Sequence, residues 1–452
     1  MKRTLLCLMM AAAGAAWANP YEKILPNGLK VVVKEDHRAP TVVNMVWYRA
    51  GSVDEKDGTS GVAHVLEHMM FKGTKKVGPG EFSKRVAAAG GRDNAFTAFD
   101  YTAYFQQVPK DRLAEIMALE ADRMGNLQLT AKEFGSEIKV VMEERRMRTE
   151  DNPEALVGEV MRATMFQAHP YRRPVIGWMD DLEHMNWQDA RAWYNTWYAP
   201  NNATAVIVGD VDHNEVFRLA EKLYGAHRSH ALPERKPQNE PEQVGVKRIS
   251  VKAPAKLPYL AMAWKVPKFH DVEKDKDFYA LEMLSSVLDG HDAARFAKHL
   301  VREQRIAQSA GAEYDGQVRG EAMFVIEGQP SPGKTVAELE AALRAELKAI
   351  QDNGVSADEL ARVKVQTLAA QTYKRDSMMA QAMEIGHAEN NGLGWRNVDR
   401  MLEKLRDVTP EEVQAVARKY FSDDSLTVAV LDPQPVDTVK PKRPAVGGGR
   451  HH

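Results

Sequence analysis

The sequence predicts an α+β protein made of two duplicated halves, each a mostly antiparallel sheet packed with helices. Three observations carry this. A polar, proline-rich segment at 229–245 interrupts the chain near its middle. After it, short apolar strands and longer helical patterns start again in a similar order. Finally, Trp197 and Tyr420 each close a helix that leads into an apolar strand. The pair lies 223 residues apart, and so do Thr204 and Thr427 in the strands that follow. A repeat of half the chain length points to duplication, not to a solenoid. With 452 residues and 44% hydrophobic content, the chain can build two cores.

Residues 1–18 read as a secretory signal peptide. Lys2 and Arg3 form its basic end, Leu5 to Ala16 its apolar stretch, and Ala16-Trp17-Ala18 its cleavage site. The single cysteine, Cys7, lies inside it, so the mature chain makes no disulfide and no thiolate metal site. A periplasmic protein, exported by a cleaved signal, is expected. No later segment is apolar over enough length to span a bilayer. The 61 basic and 63 acidic residues give a formal charge of −2, which sets up no field suited to nucleic acid.

The first half is expected at 19–228. Ile24 to Val33 forms a hairpin with Asn27-Gly28 as its turn, and Val42 to Tyr48 forms a strand. Thr59 or Ser60 caps a helix whose pattern ends at Gly73. Glu81 to Ala89 is a short helix, Asn94 to Val108 a strand rich in aromatics and threonine, and Asp111 to Met124 a helix. Thr130-Ala131-Lys132-Glu133 is a capping box that opens a long charged helix through Arg148. Helices follow Pro153 and run from Trp187 to Tyr198, and Ala203 to Val208 is a buried strand. After the linker, the second half (246–432) reads as strands near 247–251 and 258–266, helices near 274–288 and 293–303, and strands near 308–328. Long helices follow, one opened by Ser356-Ala357-Asp358-Glu359. Residues 433–452 form a Pro- and Gly-rich tail, expected to be flexible.

The chemistry is concentrated in His64-Val65-Leu66-Glu67-His68. Residues four apart on a helix share a face, about 5–6 Å apart at Cβ, so both imidazoles reach one metal ion. Glu67 projects from nearly the same face, where a base acts on a water held by that metal. The order H-x-x-E-H is the inverted zincin arrangement. Catalytic zinc takes three protein ligands. Glu137 and Glu144 lie seven apart on the long helix, two turns along one face. Either one offers the third ligand, and the spacing alone does not choose between them.

These motifs resemble the M16 (pitrilysin-like, inverzincin) metallopeptidases, in particular the smaller two-domain members that include the mitochondrial processing peptidase. The resemblance covers nearly all of the mature chain. In that family the third ligand follows the second histidine by about 76 residues, in a helix reading roughly V-x-x-E, and Glu144 stands there. The resemblance implies zinc, one per chain, on His64, His68 and Glu144. It makes Glu67 the catalytic base and Glu137 a second catalytic-site glutamate that supports the centre. Asn27-Gly28-Leu29, Gly90-Gly91 with Asn94-Ala95-Phe96-Thr97, Asp100-Tyr101-Thr102, His169-Pro170 with Gly177, and Tyr198-Ala199-Pro200-Asn201-Asn202 fit the family as well. It further implies that the two halves face each other as a clamshell. An extended peptide substrate would add as a strand beside Asn94, Ala95 and Phe96, read through its main chain with little sequence preference.

One part of the pattern is missing. The family carries an Arg and a Tyr in its second domain, in a context like L-R-x-E-Q-G-L-A-Y. Here Val301 stands at the Arg and Gln308 at the Tyr, and Arg302 or Tyr314 substitutes only if the backbone shifts. Some small members divide the work, with one subunit carrying zinc and another the Arg-Tyr pair. The expectation is a zinc endopeptidase that forms the zinc-bearing subunit of a heterodimer with a second M16-like chain. The alternatives are a homodimer, or a non-catalytic scaffold subunit. Neither nucleic acid nor a membrane span is expected among its partners.

Overall fold

The computed structural model describes residues 20–435. The signal segment and residues 436–452 of the expected tail lie outside them. The first half opens with β1 (Tyr21–Ile24) and β2 (Lys30–Glu35), joined through Asn27-Gly28. Gly28 adopts φ 85°, and a Cβ there would meet Asn201 at 2.8 Å, so the turn requires glycine. β3 (Thr41–Tyr48), β4 (Arg92–Thr97), β5 (Thr102–Pro109) and β6 (Ala203–Gly209) complete a sheet ordered β1-β2-β6-β3-β5-β4. Only β2 and β6 run parallel. Around the sheet come α1 (Val62–Met69), α2 (Glu81–Ala88), α3 (Leu113–Asn126), α4 (Ala131–Arg145), α5 (Pro153–Met165), α6 (Met179–His184), α7 (Trp187–Trp197) and α8 (His213–Tyr224). Strand side chains alternate between faces. Val31, Val33, Val46, Tyr48 and Tyr104 face the core built with α1, α3 and α7, while Val32, Val43, Met45 and Trp47 face the other way.

The second half repeats the plan. β7 (Lys247–Pro254), β8 (Tyr259–Val266), β9 (Ala307–Asp315), β10 (Ala322–Pro330) and β11 (Leu426–Gln434) form a sheet ordered β7-β11-β8-β10-β9. This is the first order without its outermost strand, and β7 with β11 is again the parallel pair. Its helices are α9 (Lys276–Asp289), α10 (Val336–Asn353), α11 (Ala357–Lys374), α12 (Met378–Asn390), α13 (Val398–Asp407) and α14 (Pro410–Tyr420). The 223-residue offset holds to the residue between α7 and α14 and between the starts of β6 and β11.

The halves exchange a helix. Val157, Met161 and Met165 of α5 pack on Val251, Ala261, Ala263 and Ala429 of the second sheet. In return, Met378, Ala382 and Ile385 of α12 cover Val43, Met45, Trp47 and Val208 of the first. Each large apolar side chain buried this way contributes about 1.5–3 kcal/mol, so the facing halves are also interlocked. A cavity of about 810 Å³ lies between them, lined by residues of both.

Several local expectations are corrected. Asn94 to Val108 is a hairpin of two strands, because the chain turns at 98–101, where Ala98 N–H donates to Tyr101 O (2.8 Å) and Asp100 is buried against the Tyr171 hydroxyl. Neither Thr59 nor Ser60 caps α1. Its N-cap is Gly61 (φ 86°), and the Glu55 carboxylate accepts from the N–H groups of Gly61 (2.8 Å) and Ala63 (2.9 Å). Thr130 and Ser356 each accept from the backbone three residues on, but the return half of the capping box is not made at either. Glu359 spends its carboxylate on Arg295 instead (2.8 Å). The long charged helix is α-helical to Arg145 and widens into a π-turn over Arg146–Glu150. The expected tail begins inside β11, which pairs with β7 through Gln434.

Candidate metal centre and its cavity

α1 turns His64, Glu67 and His68 to the cavity, with the two imidazole centroids 4.8 Å apart. α4 packs against α1 and delivers Glu144. Its Oε2 lies 3.2 Å from His68 Nε2 and 3.7 Å from His64 Nε2, and the three candidate ligand atoms all fall within 4.8 Å of one another. A tetrahedral ion with bonds of about 2.0–2.1 Å spaces its ligands by about 3.3 Å, so the donor set fits zinc. His64 supports this independently. It is buried, its Nδ1 has no partner among the described residues, and its Nε2 stands outside hydrogen-bond range of Glu144. The nitrogen that faces Glu144 and His68 therefore makes no hydrogen bond to Glu144 and is placed to accept an ion.

The electrostatics separate the two histidines. Burial, helped by the neighbouring His68, lowers His64 to about 4, which keeps it in the neutral form a metal requires. Burial also pulls His68 down, but hydrogen bonds and charge from Glu137 and Glu144 outweigh it and push His68 up to about 9. Glu144 is held low, first by its bond to His68, with Arg148 adding (Nη1–Oε1 2.8 Å). Glu137 stands behind the cluster. Its Oε1 pairs with His68 Nδ1 (2.9 Å) and its Oε2 with Lys72 Nζ (2.5 Å). That contact fixes the ring so that Nε2 faces Glu144, a positioning role. Glu67 accepts from the Thr97 hydroxyl (2.5 Å), and burial raises its carboxyl.

β4 is the edge strand, paired only with β5, and Asn94, Ala95, Phe96 and Thr97 all line the cavity. Ala95 N–H donates to Asn94 Oδ1 (2.9 Å). The Phe96 ring packs edge-on against Trp47 at 5.5 Å, so it serves the core beneath α12. From the second half, Glu313, Met323, Val325 and Glu327 complete the walls. Neither residue considered as a stand-in for the missing Arg-Tyr pair reaches the cavity. Arg302 donates to Asp292 O, and Tyr314 is buried with its hydroxyl on Pro267 O (2.6 Å). Val301 and Gln308 line a separate surface recess.

Sequence reasoning missed Glu55, Lys72, Arg148 and Thr97 as supports. Lys72 falls one turn after His68 and Arg148 one turn after Glu144, the (i, i+4) spacing that offered a signal. Thr97 lies inside the quoted Asn94–Thr97 stretch, whereas Glu55 acts across a loop and carried none.

Comparison with known proteins agrees with this layout. The model described as insulinase (peptidase family M16) matches residues 30–178, and the one described as peptidase M16 inactive domain matches 184–367. The zinc protease PqqE of Helicobacter pylori is 32% identical over 416 residues, covering 90% of this chain and 92% of that protein. A zinc protease of Streptomyces coelicolor is 28% identical over 87% of this chain and 85% of its own. A protease crystal structure from Helicobacter pylori superposes with a TM-score of 0.88 at 30% identity, covering 92% of this chain and 99% of that one. An M16-like peptidase from Alicyclobacillus acidocaldarius shares the fold (TM-score 0.81, 21% identity, 92% of this chain and 98% of that one).

Proposed function

The chain belongs to the insulinase family of M16 peptidases, and from that premise we propose that it is a zinc-dependent endopeptidase acting on extended peptides or unstructured protein segments. One observation carries the reading: His64, His68 and Glu144 converge within 4.8 Å on the wall of a cavity that also holds Glu67. When bound there, zinc supplies Lewis acidity, which polarises the scissile carbonyl and acidifies water. Glu67 takes the proton of the attacking water and returns it to the leaving amine. Thr97 holds Glu67 in place, and its raised carboxyl suits that two-way transfer. The substrate lies along the free edge of β4 at Asn94, Ala95 and Phe96, and the first half (19–228) does the chemistry while the second (246–432) closes the cavity.

Two finer features belong to the same proposal. The chain is the zinc-bearing subunit of a heterodimer, a reading supported by Arg302 and Tyr314 being engaged away from the cavity. It is exported to the periplasm after cleavage behind Ala18, as the composition of residues 1–18 suggests.

Zinc analysis of the purified chain, together with a fluorogenic peptide assay of the chain alone and mixed with its co-purifying partner, tests the whole. One zinc per chain, and turnover that rises on mixing, are expected. Substituting Glu67→Gln keeps the zinc and abolishes turnover; a variant that cleaves normally rules the mechanism out. Full activity without any partner rules out the heterodimer alone. N-terminal sequencing of the exported protein should start at Asn19.

A further inference from the structure

α5 turns Ala155, Gly158, Glu159 and Arg162 to the cavity, a single helix face at the i, i+3, i+4, i+7 spacing. The face is built to admit a chain. Ala155 is small, and a Cβ at Gly158 would meet nothing within 4 Å. Glu159 is occupied, accepting two hydrogen bonds from Arg145 (2.8 and 2.9 Å). Of the three arginines on the cavity wall, Arg148 is held by Glu144 (2.8 Å) and Arg172 by Asp57 (2.5 Å). Arg162 has no ion pair among the described residues. Its guanidinium lies over the Phe99 ring, 4.5 Å from the centroid, and Glu313 and Asp315 act on it only through space. Arg162 is half-buried at the cavity wall, and its planar fork of donors matches a carboxylate.

We propose that Arg162 is a specificity residue that binds a carboxylate of the peptide substrate, which rests on the peptidase reading of this cavity. Phe99 lies in the turn that follows β4, two residues beyond Thr97, which holds Glu67. A peptide laid along β4 and past this turn brings a residue within a few positions of the cleaved bond toward the guanidinium, since Glu67, Phe99 and Arg162 line one cavity. That carboxylate is an Asp or Glu side chain, or the peptide's own C-terminus. Of the carboxylates on the opposite wall, Glu327 is engaged by the Tyr259 hydroxyl (2.5 Å), which leaves Glu313 as the competing partner for Arg162.

The test uses full-length mature protein with zinc supplied. Fluorescent peptides carry Glu, Gln or Lys at each of the three positions on either side of a known cleavage site, with the C-terminus free or amidated. Cleavage is followed with the parent protein, and binding by anisotropy in the Glu67→Gln background. A preference for Glu over its isostere Gln of about tenfold or more is expected in both readouts, the worth of one charge-assisted hydrogen-bonded pair. Arg162→Gln erases the preference, Arg162→Glu turns it toward Lys, and Glu313→Gln leaves it in place. If the free and amidated C-termini carry the difference, the α-carboxylate is the group bound. Equal binding of every member of the set by the parent, or a preference that survives Arg162→Gln, overturns the proposal. Arg162→Lys, which keeps the charge and should keep part of the preference, guards against a folding defect. Binding needs no turnover, so intact selectivity with no cleavage would sink the peptidase reading and leave this inference standing.

Discussion

The helix that follows the second core strand of each half is built alike and equipped differently. α1 follows β3 and reads Val65-Leu66-Glu67-His68-Met69, while α9 follows β8 and reads Ala280-Leu281-Glu282-Met283-Leu284. Aligned on Leu-Glu, His64 corresponds to Tyr279 and His68 to Met283, both of which are buried as packing residues. Glu282 keeps the position of Glu67 but finds neither a metal-binding cluster nor a hydrogen-bond partner among the described residues, and burial pushes it up to about 8. The comparison teaches that the duplicated framework does not make the site. Two imidazoles, a carboxylate from the packed α4 and an open edge at β4 do, and only the first half has all of them.

The sharpest way to break this comparison is to make the same change on both helices. Glu67→Gln should lower kcat by about a thousandfold or more with zinc retained, since general base catalysis and its positioning are lost together. Glu282→Gln should leave peptide cleavage within about twofold. Its signature is in stability. The folded state holds the Glu282 proton up to about 8 while the unfolded chain releases it near 4.5, so stability falls as pH rises between those values. Glu282→Gln should remove that slope, and denaturant melts at pH 5 and pH 8.5 read it directly. If Glu282→Gln stopped cleavage, the two helices would not differ as described.

The exchanged helices supply the next contrast. Gly386 of α12 lies so close to Trp47 that an added Cβ would stand 2.1 Å from the indole. Gly386→Ala should cost about 1–3 kcal/mol by overpacking, or more if α12 lifts off the first sheet. Loss of activity should follow loss of folding, with kcat per folded molecule unchanged. Denaturant unfolding combined with active-site titration measures both.

How much of this was legible before the fold follows from the same physics. His64, Glu67 and His68 were readable because one helical turn brings local residues together whatever surrounds it. Glu144 needed a family resemblance, since a separation of 76 residues from His68 carries no local signal of where α4 packs. The repeat was visible where strand and helix boundaries match in length, at α7–β6 and α14–β11. The exchange of α5 and α12 was not, because an amphipathic pattern states that a face is buried but not against which sheet. The β4–β5 turn was hidden for a similar reason: its residues alternate like a strand, and what bends them is Asp100 meeting Tyr171 and Arg319 from distant segments.

A smaller effect tests how Glu67 is held. Thr97→Val keeps the shape of the side chain and removes the hydroxyl that donates to Glu67 Oε2. The expected loss is about tenfold in kcat with KM little changed, the worth of one hydrogen bond to a charged group. Removing that donor also raises the Glu67 carboxyl further, so the acidic limb of the pH–rate profile should move to higher pH. A drop in KM affinity with an unmoved profile would assign Thr97 to substrate contact instead.

The smallest effect lies on the other exchanged helix. Gly158 sits inside α5, where glycine costs about 0.5–1 kcal/mol relative to alanine, and no atom lies within 4 Å of the position its Cβ would take. Gly158→Ala should therefore stabilise the fold by about that amount, the opposite sign to Gly386→Ala. Space that helix packing leaves unused at such a cost has a use elsewhere, and here it faces the cavity beside Ala155 and Arg162. If a peptide chain passes along this face, the more stable variant should bind and cleave more weakly. A Gly158→Ala protein that gains stability and keeps its full kcat/KM would mean that substrate takes another route past α5.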